Sequence, residues 1–193
     1  RIKELVLHAP LSVQSEMTAC TAVLALSEDL KPQLLDMGIC EVLLPLTDSP
    51  SIEVQGNSAA ALGNLSSKAD DYAPFNAVWD KPAGGLHGYL VRFLESEDTT
   101  FQHIAVWTLI QLLESGNHEL EQHIRDSPHL LDLVRQLQSR IGTFESEHEQ
   151  ADTSTAADTS GQDVSPEREI AALSRRIEEI LFEESDDGTS DAK

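Results

Sequence analysis

Three stretches of this chain share one layout, and that repetition limits the possible folds more than any other feature. Val54 to Ser66 reads VQGNSAAALGNLS. Thirty-nine residues earlier, Ser15 to Ser27 reads SEMTACTAVLALS, and 47 residues later Phe101 to Leu113 reads FQHIAVWTLIQLL. Each has a stripe at i, i+3, i+4, i+7: Ala19, Ala22, Val23 and Leu26; Ser58, Ala61, Leu62 and Leu65; Ala105, Thr108, Leu109 and Leu112. That spacing is one buried face of a helix. The middle copy is too rich in alanine and small polar residues for a strand. Its Gly63 sits in a helix interior, where glycine is about 1 kcal/mol worse than alanine; close approach of a neighbouring helix would account for it.

The segments between the copies match as well. Leu30 to Met37 reads as a short helix stopped at Gly38, followed by a second helix from Ile39 to Leu46. Tyr72 to Trp79 and Leu86 to Leu94 repeat this around Gly84 and Gly85, and Glu119 to Arg125 and Leu130 to Leu137 repeat it around Ser127-Pro128. Glycine closes a helix end and proline suits a first turn. The unit is short helix, helix, longer helix, with the period of armadillo and HEAT solenoids. The pattern predicts an all-α solenoid of about three repeats over residues 1–140.

The net charge of -21 is unevenly spread: residues 1–140 carry -10 and residues 141–193 carry -11. This balance disfavours nucleic acid and anionic lipid and favours basic protein partners or simple solubility. Cys20 and Cys40, both in apolar helical contexts, read as reduced and buried. No run of about 18 apolar residues is present. The opening RIKELVLHAPLSV reads as the middle of a structure, with Ile2, Leu5 and Val6 expected to meet a preceding repeat or, alone, to support self-association.

EVQGNSAAALGNLSS resembles an armadillo third helix, and GICEVLLPLTDS the second helix before it. The runs SVQSEMTACTAVLALSEDLKPQLLDMG, SIEVQGNSAAALGNLSSKADDY and FQHIAVWTLIQLLESGN resemble the C-terminal repeats of the fungal vacuole-associated armadillo-repeat family. The resemblance implies a right-handed superhelix and a protein-binding adaptor on the cytoplasmic face of the vacuolar membrane. It implies roles in vacuole inheritance, nucleus–vacuole contact and cytoplasm-to-vacuole or autophagic delivery. It also implies membrane attachment through a lipidated N-terminal segment, which maps to no residue of this chain. In armadillo proteins generally, a Trp and, one turn later, an Asn on each third helix line a groove. The Asn amide bonds a peptide backbone and the Trp walls side-chain pockets.

Mapped here, the groove-facing residues are Thr18, Thr21 and Ala25 in the first copy, Asn57, Ala60 and Asn64 in the second, and Ile104, Trp107 and Gln111 in the third. Asn64 matches the family's Asn, but Ala60 stands where its Trp would be. Trp107 matches the Trp, but Gln111 replaces the Asn. The candidate protein-binding groove is therefore Thr21, Asn57, Asn64, Ile104, Trp107 and Gln111. The broken ladder argues against an import-receptor-like grip on basic peptides, which the acidic balance would otherwise suit. Asn64 either meets a partner or bonds a neighbouring turn, and Trp107 either faces the groove or packs on an adjacent repeat or the tail.

No catalytic, cofactor or metal site is expected. The histidines of HELEQH stand at i and i+5, not the i, i+4 spacing of a metalloprotease helix. No nucleophile elbow, phosphate loop or dinucleotide fingerprint occurs, so an enzyme or enzyme regulator is the weakest reading. Residues 141–164, rich in Ser, Thr, Asp and Glu, read as a disordered linker. Residues 165–184 then return to helix, with Ser165 as cap, Pro166 in the first turn and an apolar stripe of Ile170, Leu173, Ile177, Ile180 and Leu181. That helix either stays loose, docks on its own array or binds another chain, and residues 185–193 are expected to fray.

Overall fold

The computed structural model describes residues 2–81, 84–151 and 165–183. Among them are eleven helices and no strand: α1 (Ile2–Leu7), α2 (Leu11–Leu24), α3 (Lys31–Asp36), α4 (Cys40–Leu46), α5 (Ile52–Ser66), α6 (Ala73–Ala77), α7 (Gly85–Glu95), α8 (Thr99–Leu113), α9 (His118–Arg125), α10 (Pro128–Ala151) and α11 (Pro166–Glu183). They form an all-α solenoid of armadillo type. The triplets α3–α5, α6–α8 and α9–α11 each run first, second, third helix, and α1–α2 supply a second and a third. Third helices lie side by side in the order α2, α5, α8, α11, and second helices in the order α1, α4, α7, α10.

Local chemistry marks the boundaries. Ser51, Asp98 and Asn117 each turn a side-chain oxygen onto the first free amides of α5, α8 and α9, satisfying donors that no helical carbonyl can reach. The turn from α6 into α7 needs Gly85. Its φ is +54°, and a Cβ there would lie 2.2 Å from the Val78 carbonyl oxygen and 2.5 Å from that of Trp79. Those carbonyls accept the amides of Leu86 and His87 at 3.0 Å.

The core is one large apolar cluster running from α3 to α11, with a smaller one of Val6, Val42, Leu46 and Val54 at the α1 end. The stripes predicted on the second and third copies are buried throughout: Ser58, Ala61, Leu62 and Leu65 on α5, and Ala105, Thr108, Leu109 and Leu112 on α8. The first copy departs from its stripe. On α2 the buried residues are Gln14 and Thr18, with Ala25 just beyond the helix, whereas Val23 is 66% and Leu26 64% exposed. Both α5 and α8 are held by their own second helix and by a third helix on either side; among the described residues α2 packs closely on α5 alone. Its rotation is set by that one neighbour and by the Gln14 amide, which donates to the Val6 and Leu7 carbonyls at 3.1 Å.

Two further expectations change for the same reason. Cys20 is exposed, while Cys40 is buried; burial pushes the Cys40 thiol pKa up to about 12. Val6 turns inward against Val42, Leu46 and Val54, leaving Leu5 in solvent.

The C-terminal stretch behaves as part of the array. Helix α10 runs to Ala151, past residue 140, where Glu and Gln continue a good helix-forming sequence. Residues 152–164 and 184–193, which include the remainder of the expected linker and the expected frayed end, lie outside the described residues. Helix α11 packs on α8 and α10. It buries Ile170, Ala171, Ser174, Ile177 and Leu181, with Leu173 and Ile180 partly covered. It takes the position of a third helix.

Candidate protein-binding face

The rows expected to face outward do so on α5 and α8, where packing fixes their register, but not on α2, whose rotation buries Thr18 and Ala25 and leaves only Thr21 partly open. Gly63 of α5 faces Trp107 of α8. A Cβ at Gly63 would come within 2.6 Å of the indole Cζ3 and 2.9 Å of Thr108 Oγ1, distances at which something must move. The missing side chain is what lets the six-membered ring of Trp107 lie down on α5. Two turns toward the N-terminus, Gly56 meets the Phe101 ring, and Phe101 stacks on Phe93 with centroids 4.5 Å apart. The indole is thus a half-exposed wall fixed by its neighbour.

Asn64 is half-buried, and its amide donates to the Ala22 carbonyl of α2 at 2.9 Å. Leu26 N–H turns back to the Val23 carbonyl, so this side chain serves the frayed C-terminal turn of α2. The Asn64 carbonyl oxygen remains for another donor. Asn57 makes a parallel bond, its amide 3.4 Å from the Ser15 carbonyl, and Ser15 Oγ donates to Glu53 at 3.1 Å. Thr21, half-buried on α2, returns its hydroxyl to the Met17 carbonyl at 2.8 Å. Ile104 and Gln111 flank Trp107 on α8, both half-buried.

Helix α11 extends this row. Its buried Ile170, Ala171, Ser174 and Ile177 follow the register of Ala105, Val106, Leu109 and Leu112. That register sets Glu169, Ala172 and Arg176, all exposed, beside Ile104, Trp107 and Gln111. Side-chain contacts agree with it: His103 Nε2 lies 3.3 Å from a Glu169 oxygen, and Arg176 Nε is 3.4 Å from Glu114. The Arg176 guanidinium is raised from its ordinary pKa, first by its hydrogen bond to Glu114 and then by that to Glu179. In this register the positions equivalent to Trp107 are Ala60 on α5 and Ala172 on α11. Nothing in a period-based sequence reading relates α11 to α8, so Glu169, Ala172 and Arg176 were outside the predicted face. The buried stripe, slid along until it matched Ala105 to Leu112, would have found them.

Elsewhere the polar groups serve the scaffold. Lys31, buried along its stem, donates to the Ser67 carbonyl at the C-terminal end of α5. Loss of water lowers its pKa, opposed by Glu28. Arg92 of α7 reaches back to Thr47 Oγ1 at 2.9 Å. His123 stacks on the buried Trp79 indole at 5.2 Å, which places one histidine of HELEQH in a packing contact between repeats. Among the described residues, no group of three or more His, Cys, Asp or Glu side chains could hold a metal, and no helix is long and apolar enough to cross a membrane.

Comparison with known proteins supplies the context. A family model for the Armadillo/beta-catenin-like repeat matches residues 27–67, the stretch that contains α3, α4 and α5. The chain is 62% identical over 140 residues to Vacuolar protein 8 of Schizosaccharomyces pombe, covering 72% of this chain and 26% of that protein. It is 52% identical over 181 residues to Vacuolar protein 8 of Aspergillus oryzae, covering 94% of this chain and 29% of that protein. Against Vacuolar protein 8 of Saccharomyces cerevisiae the identity is 45% over 137 residues, covering 71% and 24%. The chain thus spans about a quarter to three-tenths of the length of these relatives.

Proposed function

The chain belongs to the Vacuolar protein 8 family of armadillo-repeat proteins, and from that premise we propose that it is a protein-binding scaffold acting at the vacuolar membrane. It works as an adaptor in vacuole inheritance, nucleus–vacuole contact and delivery from cytoplasm to vacuole, and it has no catalytic task. Partner segments lie along the outward row of α5, α8 and α11. The observation that carries this reading is the half-exposed Trp107 indole, seated against Gly63 of the neighbouring helix. A fixed aromatic beside small residues and amides is the composition of a protein-binding hot spot.

The occupied amide of Asn64 refines the partner. A peptide gripped wholly through its backbone needs a ladder of free amides, and this face offers Gln111 and the carbonyl side of Asn64. Side-chain contacts with Trp107 and Ile104 therefore dominate, and the chain's charge of -21 favours basic residues around that anchor. Self-association through the exposed apolar side of α2 belongs to the same reading, since Val13, Met17 and Leu24 share an uncovered face there.

The test is capture of partners from fungal lysate by the parent chain, by Trp107→Ala and by Gln111→Arg, with equal helicity checked by circular dichroism. Partners retained by the parent and lost from both variants support the face. Equal capture by all three rejects it.

A further inference from the structure

We propose that Ser165 is a phosphoacceptor for a proline-directed protein kinase that reads a basic residue three positions on, and that its phosphate reinforces the first turn of α11. Serine precedes proline at Ser49-Pro50, Ser127-Pro128 and Ser165-Pro166. A kinase of this class takes its substrate extended. Its pocket after the acceptor suits proline, which has no amide hydrogen to satisfy, and a cation at the third position meets an anionic group on the enzyme. The third position is Ile52 after Ser49, Leu130 after Ser127 and Arg168 after Ser165. The motif selects the last of the three.

The structure selects it independently. Ser49 is 6% exposed, and its hydroxyl oxygen accepts the Ser51 amide at 3.3 Å. Ser127 donates its hydroxyl to the His123 carbonyl at 2.8 Å in the tight turn between α9 and α10, and its third position, Leu130, is fully buried. Extending either site would tear core residues from the array. Ser165 is half-exposed and is followed by exposed Pro166, Glu167 and Arg168. Its oxygen accepts the Arg168 amide at a long 3.4 Å. The first core residue of α11 is Ile170, so the first turn can open for the kinase while Ile170, Ile177 and Leu181 stay seated.

In the transfer, Ser165 Oγ forms a bond to the γ-phosphorus of ATP as the bond from that phosphorus to the bridging oxygen of the β-phosphate breaks. ADP leaves, and the hydroxyl proton passes to the kinase's base. The phosphate, with about -1.5 to -2 charges near neutral pH, then faces the positive end of α11 and the amides of its first turn. Glu167 and Glu169 oppose it, but Glu169 is directed to His103 and exposed charges are screened. The first turn tightens.

The experiment treats the full chain with a purified cyclin-dependent kinase and ATP, maps the phosphate by peptide mass spectrometry and follows amide exchange in α11. One phosphoryl group on Ser165 is expected, with none there in Ser165→Ala. Arg168→Ala should slow its addition about tenfold, the loss of one charged contact. Phosphate on other residues with Ser165 bare, or an unchanged rate in Arg168→Ala, overturns the assignment. Exchange over residues 167–170 should slow in the phosphorylated chain, and exchange that is unchanged or faster overturns the reinforcement. Both substitutions fall on exposed positions, and circular dichroism checks that the variants keep the parent fold.

Discussion

Helices α2 and α11 stand at the two ends of the row of third helices, and they present very different surfaces to solvent. Each packs one face on its inner neighbour, α2 on α5 and α11 on α8. The outer side of α11 is polar, with Arg168 and Arg175 exposed, and its exposed Phe182 ring lies under the Arg135 guanidinium at 5.3 Å. It is also stapled along its length. His103 holds Glu169, Glu114 holds Arg176, Arg135 holds Glu178, and Arg125 donates to the Leu181 carbonyl. That last contact sets a cation against the negative end of the helix. The outer side of α2 has Val13, Met17, Val23 and Leu24 in solvent, with Leu26 exposed just beyond the helix. Stacked repeats need a polar outer face wherever stacking stops. Helix α11 has such a face; the outer face of α2 has the composition of an interface.

The strongest way to break this comparison is to unseat the cap. Ile177 is 1% exposed among α8 and α10 residues. Ile177→Asp would leave a carboxylate buried without a partner, costing on the order of 4 kcal/mol. The expected outcome is loss of α11 protection in hydrogen exchange with the α3–α8 core retained. Protection of α11 equal to the parent's would show that the helix is not held by this seam.

A matched pair of truncations sharpens the contrast. Leu65 and Leu26 occupy the same position in two copies of the pattern, yet Leu65 is fully buried and Leu26 is 64% exposed. Leu65→Ala should lower stability by about 2–5 kcal/mol, and Leu26→Ala should stay within about 0.5 kcal/mol. Urea unfolding reads both. Similar losses would mean that α2 is clasped as α5 is. Thiol labelling is a gentler probe of the same point: Cys20 should react in the folded chain and Cys40 only on unfolding.

That pair also shows where sequence reasoning stops. The stripe of α2 is as regular as those of α5 and α8, so the helix itself was legible. Its rotation was not, because a helix with apolar residues on several sides is oriented by its neighbours, and periodicity carries no record of them. The reverse holds for α11. Its cap, proline and stripe were legible, but its equivalence to α5 and α8 was hidden by the long interval after α10. On the binding face, Trp107 and Asn64 were visible as residue types. That Trp107 lies on Gly63 and that Asn64 serves Ala22 depends on approach distances between helices, which enter only with the fold. In the sequence, the glycine in a helix interior is the signal of that approach.

A smaller effect than the loss at Leu65 has the opposite sign. In the seam between third helices, Thr108 of α8 bonds the Ile104 carbonyl at 2.7 Å and lies 3.4 Å from the buried Tyr89 hydroxyl. Ser174 of α11, fully buried, has no hydrogen-bond partner for its hydroxyl. Burying an unpartnered hydroxyl is unfavourable, and serine is a weaker helix former than alanine. Ser174→Ala should therefore stabilise the chain by about 1 kcal/mol, whereas Thr108→Ala should destabilise it by a similar amount. Urea unfolding of the two variants in parallel decides the matter. A loss of stability in Ser174→Ala would mean that the hydroxyl has a partner in solution and that the α8–α11 seam is not the dry apolar contact that closes this end of the array.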